Sequence, residues 1–139
     1  MDPRDVFRHD DEVRDNETDS AGIVNNANYY IYMAHCRHKH VKALGIDFGE
    51  LKRQGYNLVV AEANIKFKNS LVSGDGYFVT CKVITPKPGR FAFEQDVVRK
   101  SDGVMVAKGI ISATCIIQET GKVEIPAYIK EKLGLNYSQ

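Results

Sequence analysis

Two periodicities divide the chain. Tyr30, Met33, Ala34, Arg37, Val41 and Leu44 fall at i, i+3, i+4, i+7, i+11 and i+14, which traces one stripe of an α-helix. Gly45 follows in the position where helices end on a left-handed residue. Beyond Gly55 the period drops to two. Ala61, Ala63, Ile65 and Phe67 alternate with Glu62, Asn64, Lys66 and Lys68, the pattern of a strand with one buried face. Ser73-Gly74-Asp75-Gly76 predicts a turn, and the β-branched and aromatic run Tyr77 to Thr85 predicts another strand. Pro86-Lys87-Pro88-Gly89 breaks it, and alternation resumes from Phe91 to Arg99. Ser101-Asp102-Gly103 is a hairpin signal, and Val104 to Gln118 is the longest strand candidate.

The N-terminal part is less regular. Phe7, His9, Asp11 and Val13 share one face of a weakly marked strand. The segment from Asn16 to Asn28 is dense in Asn, Asp, Ser and Gly and predicts a loop. Asp47 followed by Glu50 has the spacing of a capping box and predicts one short helix before Gly55. Ala127 to Leu133 predicts a short closing helix. The short turns imply antiparallel pairing, because parallel neighbours need long crossovers. One long helix covers one face of such a sheet, so the expectation is an α+β domain occupying residues 1–139.

Composition narrows the function classes. The 139 residues suit one domain, and 43% hydrophobic content supplies a core. With 19 basic against 18 acidic residues the formal net charge is +1, which argues against a broad nucleic-acid footprint but does not exclude a local phosphate site. Cys36, Cys81 and Cys115 are too few and too scattered for a disulfide framework, and free thiols in a reducing compartment are expected. The N-terminal stretch lacks the apolar run of a signal peptide, and no segment approaches the ~20 apolar residues that span a bilayer. The expectation is a cytoplasmic protein.

At Asp19 the residues take a recognisable form. The run from Val13 to Tyr29 resembles the signature of the hydroxybenzoyl-CoA thioesterase family: an acidic Asp-Xaa-Xaa-Gly, two apolar residues, a short polar run and an aromatic residue opening the helix. Asp19, Gly22, Ile23, Val24 and Tyr29 occupy those positions. The strand spacing and the closing Glu124-Ile125-Pro126 extend the resemblance over nearly the whole chain. It implies the hotdog fold, an antiparallel sheet wrapped around a central helix. It also implies hydrolysis of acyl-CoA, or of acyl carrier protein thioesters, without metal or redox cofactor. Sites in the family form between protomers, so a homodimer or homotetramer is implied. Three positions depart from the family pattern. Asn26 stands where some members carry His or Tyr, Ala34 where a Glu is frequent, and a common Pro is replaced near Lys68 to Leu71.

Thioester hydrolysis needs an activated water or an attacking carboxylate, and donors aimed at the oxyanion. Asp19 is the candidate base or nucleophile, against the alternative of an Asx-turn that only orders the loop. Backbone N–H groups around Asn26 to Asn28 should be unpaired at the helix start and form an anion site with the helix dipole. Gly22 would let backbone approach closely. Asn26 is a candidate to orient water beside Asp19, and Asn28 and Tyr29 are candidate substrate contacts at the helix entrance. One of Asn25, Asn26 and Asn28 should cap the helix. Lys87 and Arg90, in the basic turn after the third predicted strand, are candidate holders of CoA phosphates, against an ordinary solvated turn.

Two features read as bland. Glu17 reads as an exposed strand-end charge. His35-Cys36-Arg37-His38-Lys39-His40 offers His and Cys pairs at helical spacing, but the pairs lie on different faces and nothing completes four ligands. A solvated helix face and no metal are expected there. Two rival functions stay open. An acyl dehydratase on the same fold would want a His in the Asn16 to Asn28 loop, which has none. A non-catalytic acyl or CoA-binding module is separated by a hydrolysis assay.

Overall fold

Short turns after residue 67 leave antiparallel pairing as the simplest outcome, and the chain adopts it. The computed structural model describes residues 1–87 and 89–135, without the side chain of Lys87. Strand β1 (Phe7–Glu12) leads through a single 3₁₀ turn (Asp15–Glu17) to helix α1 (Asn26–Ala43) and the short α2 (Phe48–Arg53). Then come β2 (Tyr56–Phe67), β3 (Gly76–Lys87), β4 (Arg90–Arg99), β5 (Met105–Ile117) and α3 (Ala127–Leu133). The strands form one sheet in the order β1-β3-β4-β5-β2, with every neighbouring pair antiparallel. This is the expected α+β arrangement.

Helix α1 packs on β3, β1 and β4. Met33, Cys36, Val79, Cys81, Phe93, Val97 and Ile111 are all buried in the layer between them. Each large apolar side chain removed from water there contributes about 1.5–3 kcal/mol. Gly109 on β5 makes a close approach possible, because a Cβ at that position would lie 2.8 Å from Met33 Sδ. Gly45 has φ +89°, the left-handed residue that the sequence placed after the helix.

Several expectations need correction. The helix begins at Asn26, inside the expected loop, and its buried stripe runs through Tyr29, Tyr32, Met33, Cys36, Arg37, His40 and Val41. Tyr30 and Ala34 are only half-buried. The stripe is thus turned about one residue from the predicted one. The same rotation puts Cys36, Arg37 and His40 in the interior, so this half of the His-rich run is not a solvated face.

In β2, Ala61, Ala63 and Phe67 are exposed, and only Ile65 of the predicted face is half-buried. β2 is an edge strand packed mainly by the short α2, and a bulge between Val60 and Glu62 interrupts its alternation. β3 runs on to Lys87, through Pro86. A proline is tolerated there because β1 pairs no further along β3 than Cys81, and the β3–β4 register is broken between Ile84 and Lys87. The predicted capping box on α2 is half realised. Asp47 accepts from the N–H groups of Gly49 and Glu50, whereas Glu50 turns to Arg53 at 2.8 Å.

Candidate functional site

The loop between β1 and α1 is held at both ends, and Asp19 sits at its exposed tip. Glu17 starts the brace. Its carboxylate accepts from Arg14 N–H at 2.8 Å and from the Tyr32 hydroxyl at 3.0 Å. Its carbonyl accepts from Asn28 Nδ2 at 2.7 Å. Glu17 is therefore a partly buried tie between the loop and α1, not the exposed charge the sequence suggested; its side chain is 18% exposed. Burial, and next the Glu17 carboxylate, push the Tyr32 phenol far above the ordinary tyrosine range, so it stays a neutral O–H donor.

Beyond Glu17 the chain folds back as a tight hairpin, with Thr18 bridging Val24. Asp19 N–H donates to Ile23 O at 2.8 Å, and Gly22 N–H returns to Asp19 O at 2.9 Å. Gly22 has φ +80°, which L side chains rarely adopt, so the turn depends on this glycine. Among the described residues nothing lies within 4 Å of the place its Cβ would fill, so the requirement is conformational and not a close contact with them. The far end of the hairpin is anchored by Val24 N–H to Leu71 O at 2.9 Å and by an Ile23–Val72 bridge.

Asp19 makes the Asx-turn weighed above: its Oδ1 accepts from Ala21 N–H at 2.8 Å. Its Oδ2 accepts no hydrogen bond among the described residues, and the side chain faces solvent. The turn and the catalytic reading are compatible, because one oxygen fixes the carboxylate while the other is left to act.

At the helix start, Asn25 is the cap and accepts from Ala27 N–H at 2.9 Å. Asn28 N–H donates to Asn25 O at 2.9 Å. Two of the expected free donors are thus engaged, and the N–H of Asn26 is the one in that set without a partner among the described residues. The Asn26 side chain is exposed beside it. Asn28 is turned toward Glu17 as a brace. Tyr29 is 1% exposed, and its hydroxyl accepts from Leu71 N–H at 3.0 Å, so within the protomer it faces the core. The hairpin with Asp19 and Gly22 is joined to the start of α1, with Asn26 and Asn28, through the Thr18–Val24 bridge and the Asn28–Glu17 hydrogen bond. Arg90 opens β4 opposite Lys87 in the ladder; the Lys87 side chain lies outside the described residues.

Sequence reasoning missed Tyr32 and Glu17 as a pair. The available signal was helical spacing, since Tyr32 lies one turn beyond Asn28 and both reach residue 17.

The chain is 33% identical over 123 residues to the chloroplastic acyl-acyl carrier protein thioesterase ATL3 of Arabidopsis thaliana, across 87% of its own length. It spans 64% of that relative. The solved 1,4-dihydroxy-2-naphthoyl-CoA thioesterase of Synechocystis superposes with a TM-score of 0.85 at 17% identity, over 94% of this chain and 96% of that one. The gentisyl-coenzyme A thioesterase BH1999 gives 0.77 at 25% identity, over 91% and 98%. These likenesses identify the sheet and helix as the hotdog fold. The sequence profile of the Thioesterase-like superfamily matches residues 13–133, and the chain belongs to that superfamily.

Proposed function

We propose that the protein hydrolyses an acyl thioester of CoA or of acyl carrier protein, with Asp19 as general base or nucleophile. The observation that carries this reading is the Asp19 carboxylate. It is fixed through one oxygen, open through the other, and mounted on a hairpin tied to the start of α1. The Asn26 N–H at the positive end of the helix dipole suits an oxygen on which charge develops. Hydrolysis then runs by attack of an Asp19-activated water on the thioester carbonyl, or of Asp19 itself to give an acyl–Asp19 anhydride that water then cleaves to free acid and Asp19; in both cases the thiolate leaves and takes up a proton. Lys87 and Arg90 supply positive charge for the CoA phosphates or the carrier's phosphopantetheine.

Two relatives support a thioester substrate: ATL3 is a thioesterase for acyl-acyl carrier protein, and BH1999 one for gentisyl-coenzyme A. The site is completed in a homodimer or homotetramer. The support for assembly is the uncovered β2 edge with exposed Val60 and Phe67, an arrangement that invites pairing. Three free, buried cysteines suit a reducing compartment such as the cytoplasm. The test is release of free thiol from a panel of acyl-CoA and acyl carrier protein thioesters by the purified protein. Turnover on at least one class is expected, and binding without turnover on every member would favour the non-catalytic acyl-binding module.

A further inference from the structure

Arg37 is a buried cation without an anion. It is 6% exposed, and its Nη1 donates to the Gln95 Oε1 at 3.1 Å. Gln95 is itself fully buried and held by its Nε2 to Met33 O at 2.9 Å, so the acceptor is locked in place. The Tyr30 ring lies 5.3 Å from the guanidinium carbon. No carboxylate pairs with Arg37 among the described residues. A charge taken this far from water is costly unless something compensates it, and a neutral amide and a ring compensate it only in part.

The same residue lines a cleft of about 90 Å³ whose other walls include Val41, Phe48, Leu58, Val60 and Phe93. That is about the volume of three water molecules in the liquid, enough for a carboxylate and its first methylene. Phe48, at 40% exposure, carries the apolar surface outward from it. Arg37 also hydrogen-bonds the Tyr30 side chain, which with Gln95 engages two of its five N–H donors and leaves the others for a ligand. These donors have the planar fork that binds a carboxylate bidentately.

We infer that this cleft binds the carboxylate of an aliphatic chain, with Arg37 as its charge partner and the apolar walls holding the first carbons. The inference rests in part on the thioesterase reading, which supplies two sources for such a group. One is the far end of a dicarboxylic acyl thioester. The other is the free acid that hydrolysis releases. Arg37 lies eleven residues beyond Asn26 on α1, roughly 16 Å along the helix axis. Only a long chain joins it to a thioester beside Asp19.

Binding of dodecanoate and of dodecanol, read by calorimetry on wild type, Arg37→Met and Arg37→Lys, tests the site without any need for turnover. Dodecanoate should bind wild type and weaken tenfold or more in Arg37→Met, while dodecanol is unaffected. Arg37→Lys should keep part of the preference, and melting curves check that all three are folded. Equal dodecanoate affinity in wild type and Arg37→Met, or no carboxylate binding by folded wild type, would overturn the inference. KM for dodecanedioyl-CoA against dodecanoyl-CoA separates the sources. An Arg37-dependent preference for the diacid assigns the site to substrate; equal KM with Arg37-dependent inhibition by dodecanoate assigns it to released acid. Failure to hydrolyse either thioester would count against the thioesterase reading and leave the binding result standing.

Discussion

His40 offers a quantitative test of the interior. It is fully buried on α1, stacked on Phe7 at 5.2 Å and edge-on to Phe93, and neither ring nitrogen has a hydrogen-bond partner among the described residues. Burial pushes its pKa down to about 4 from the ordinary 6.5. The folded state thus keeps His40 neutral where the unfolded chain takes up a proton. A group with its folded pKa depressed contributes fully above the unfolded value, and that contribution falls as pH drops from 6.5 toward 4. Between about pH 8 and about pH 5 the loss is about 2 kcal/mol.

His40→Leu removes the titration along with two unsatisfied buried nitrogens. At about pH 8 the variant should match or exceed wild type in stability, because replacing unpaired buried polar groups by apolar volume is neutral or favourable. As pH falls the gap should widen in its favour by about 2 kcal/mol. Urea unfolding of both proteins at a series of pH values measures this directly. Identical pH profiles for wild type and His40→Leu would show that His40 is not held neutral by the fold. A variant less stable by several kcal/mol at every pH would show that its nitrogens have partners after all.

Other outcomes follow from the braced loop and the basic turn. Tyr32→Phe removes one donor from the partly buried Glu17 carboxylate; it should cost about 1–3 kcal/mol in melting experiments and lower kcat, since the hairpin bearing Asp19 hangs from Glu17. Unchanged kcat would separate the brace from catalysis. Replacing Lys87 and Arg90 together by Ala should raise KM several-fold with kcat little changed, the mark of lost uniform binding. KM should also become less sensitive to salt, and an unchanged KM at low ionic strength would return these two residues to an ordinary turn.

Where side-chain pattern and burial agree, the elements were legible. β4 and β5 carry apolar residues on their helix-facing side, and the turns at Ser73 to Gly76 and Ser101 to Gly103 fall where Gly and Asp put them. The failures have physical causes. Ala61, Ala63 and Phe67 alternate like a buried face, but burial of β2 depends on what lies over the sheet edge, which no local pattern encodes. Along α1, two adjacent apolar-compatible stripes exist, and Tyr29, Tyr32, Cys36 and His40 face inward because the sheet receives them. A sequence cannot indicate that a histidine will be accepted between Phe7 and Phe93. The site was legible at Asp19 and Gly22 through the motif and the turn. The Leu71 anchor on Tyr29 and the Arg37–Gln95 pair join residues 42 and 58 positions apart, beyond the reach of spacing rules.

The central claim is that Asp19 acts on the substrate and does more than close its turn. Asp19→Asn retains an oxygen that can accept from Ala21 N–H, so the Asx-turn and the fold should survive, with an unchanged melting temperature. It removes the charge and basicity of the free oxygen. The measurement is single-turnover and steady-state hydrolysis of the best thioester, alongside melting of both proteins. The account predicts a folded variant with kcat lowered by ~100-fold or more and substrate still bound. A folded Asp19→Asn protein turning over at near wild-type rate would contradict it.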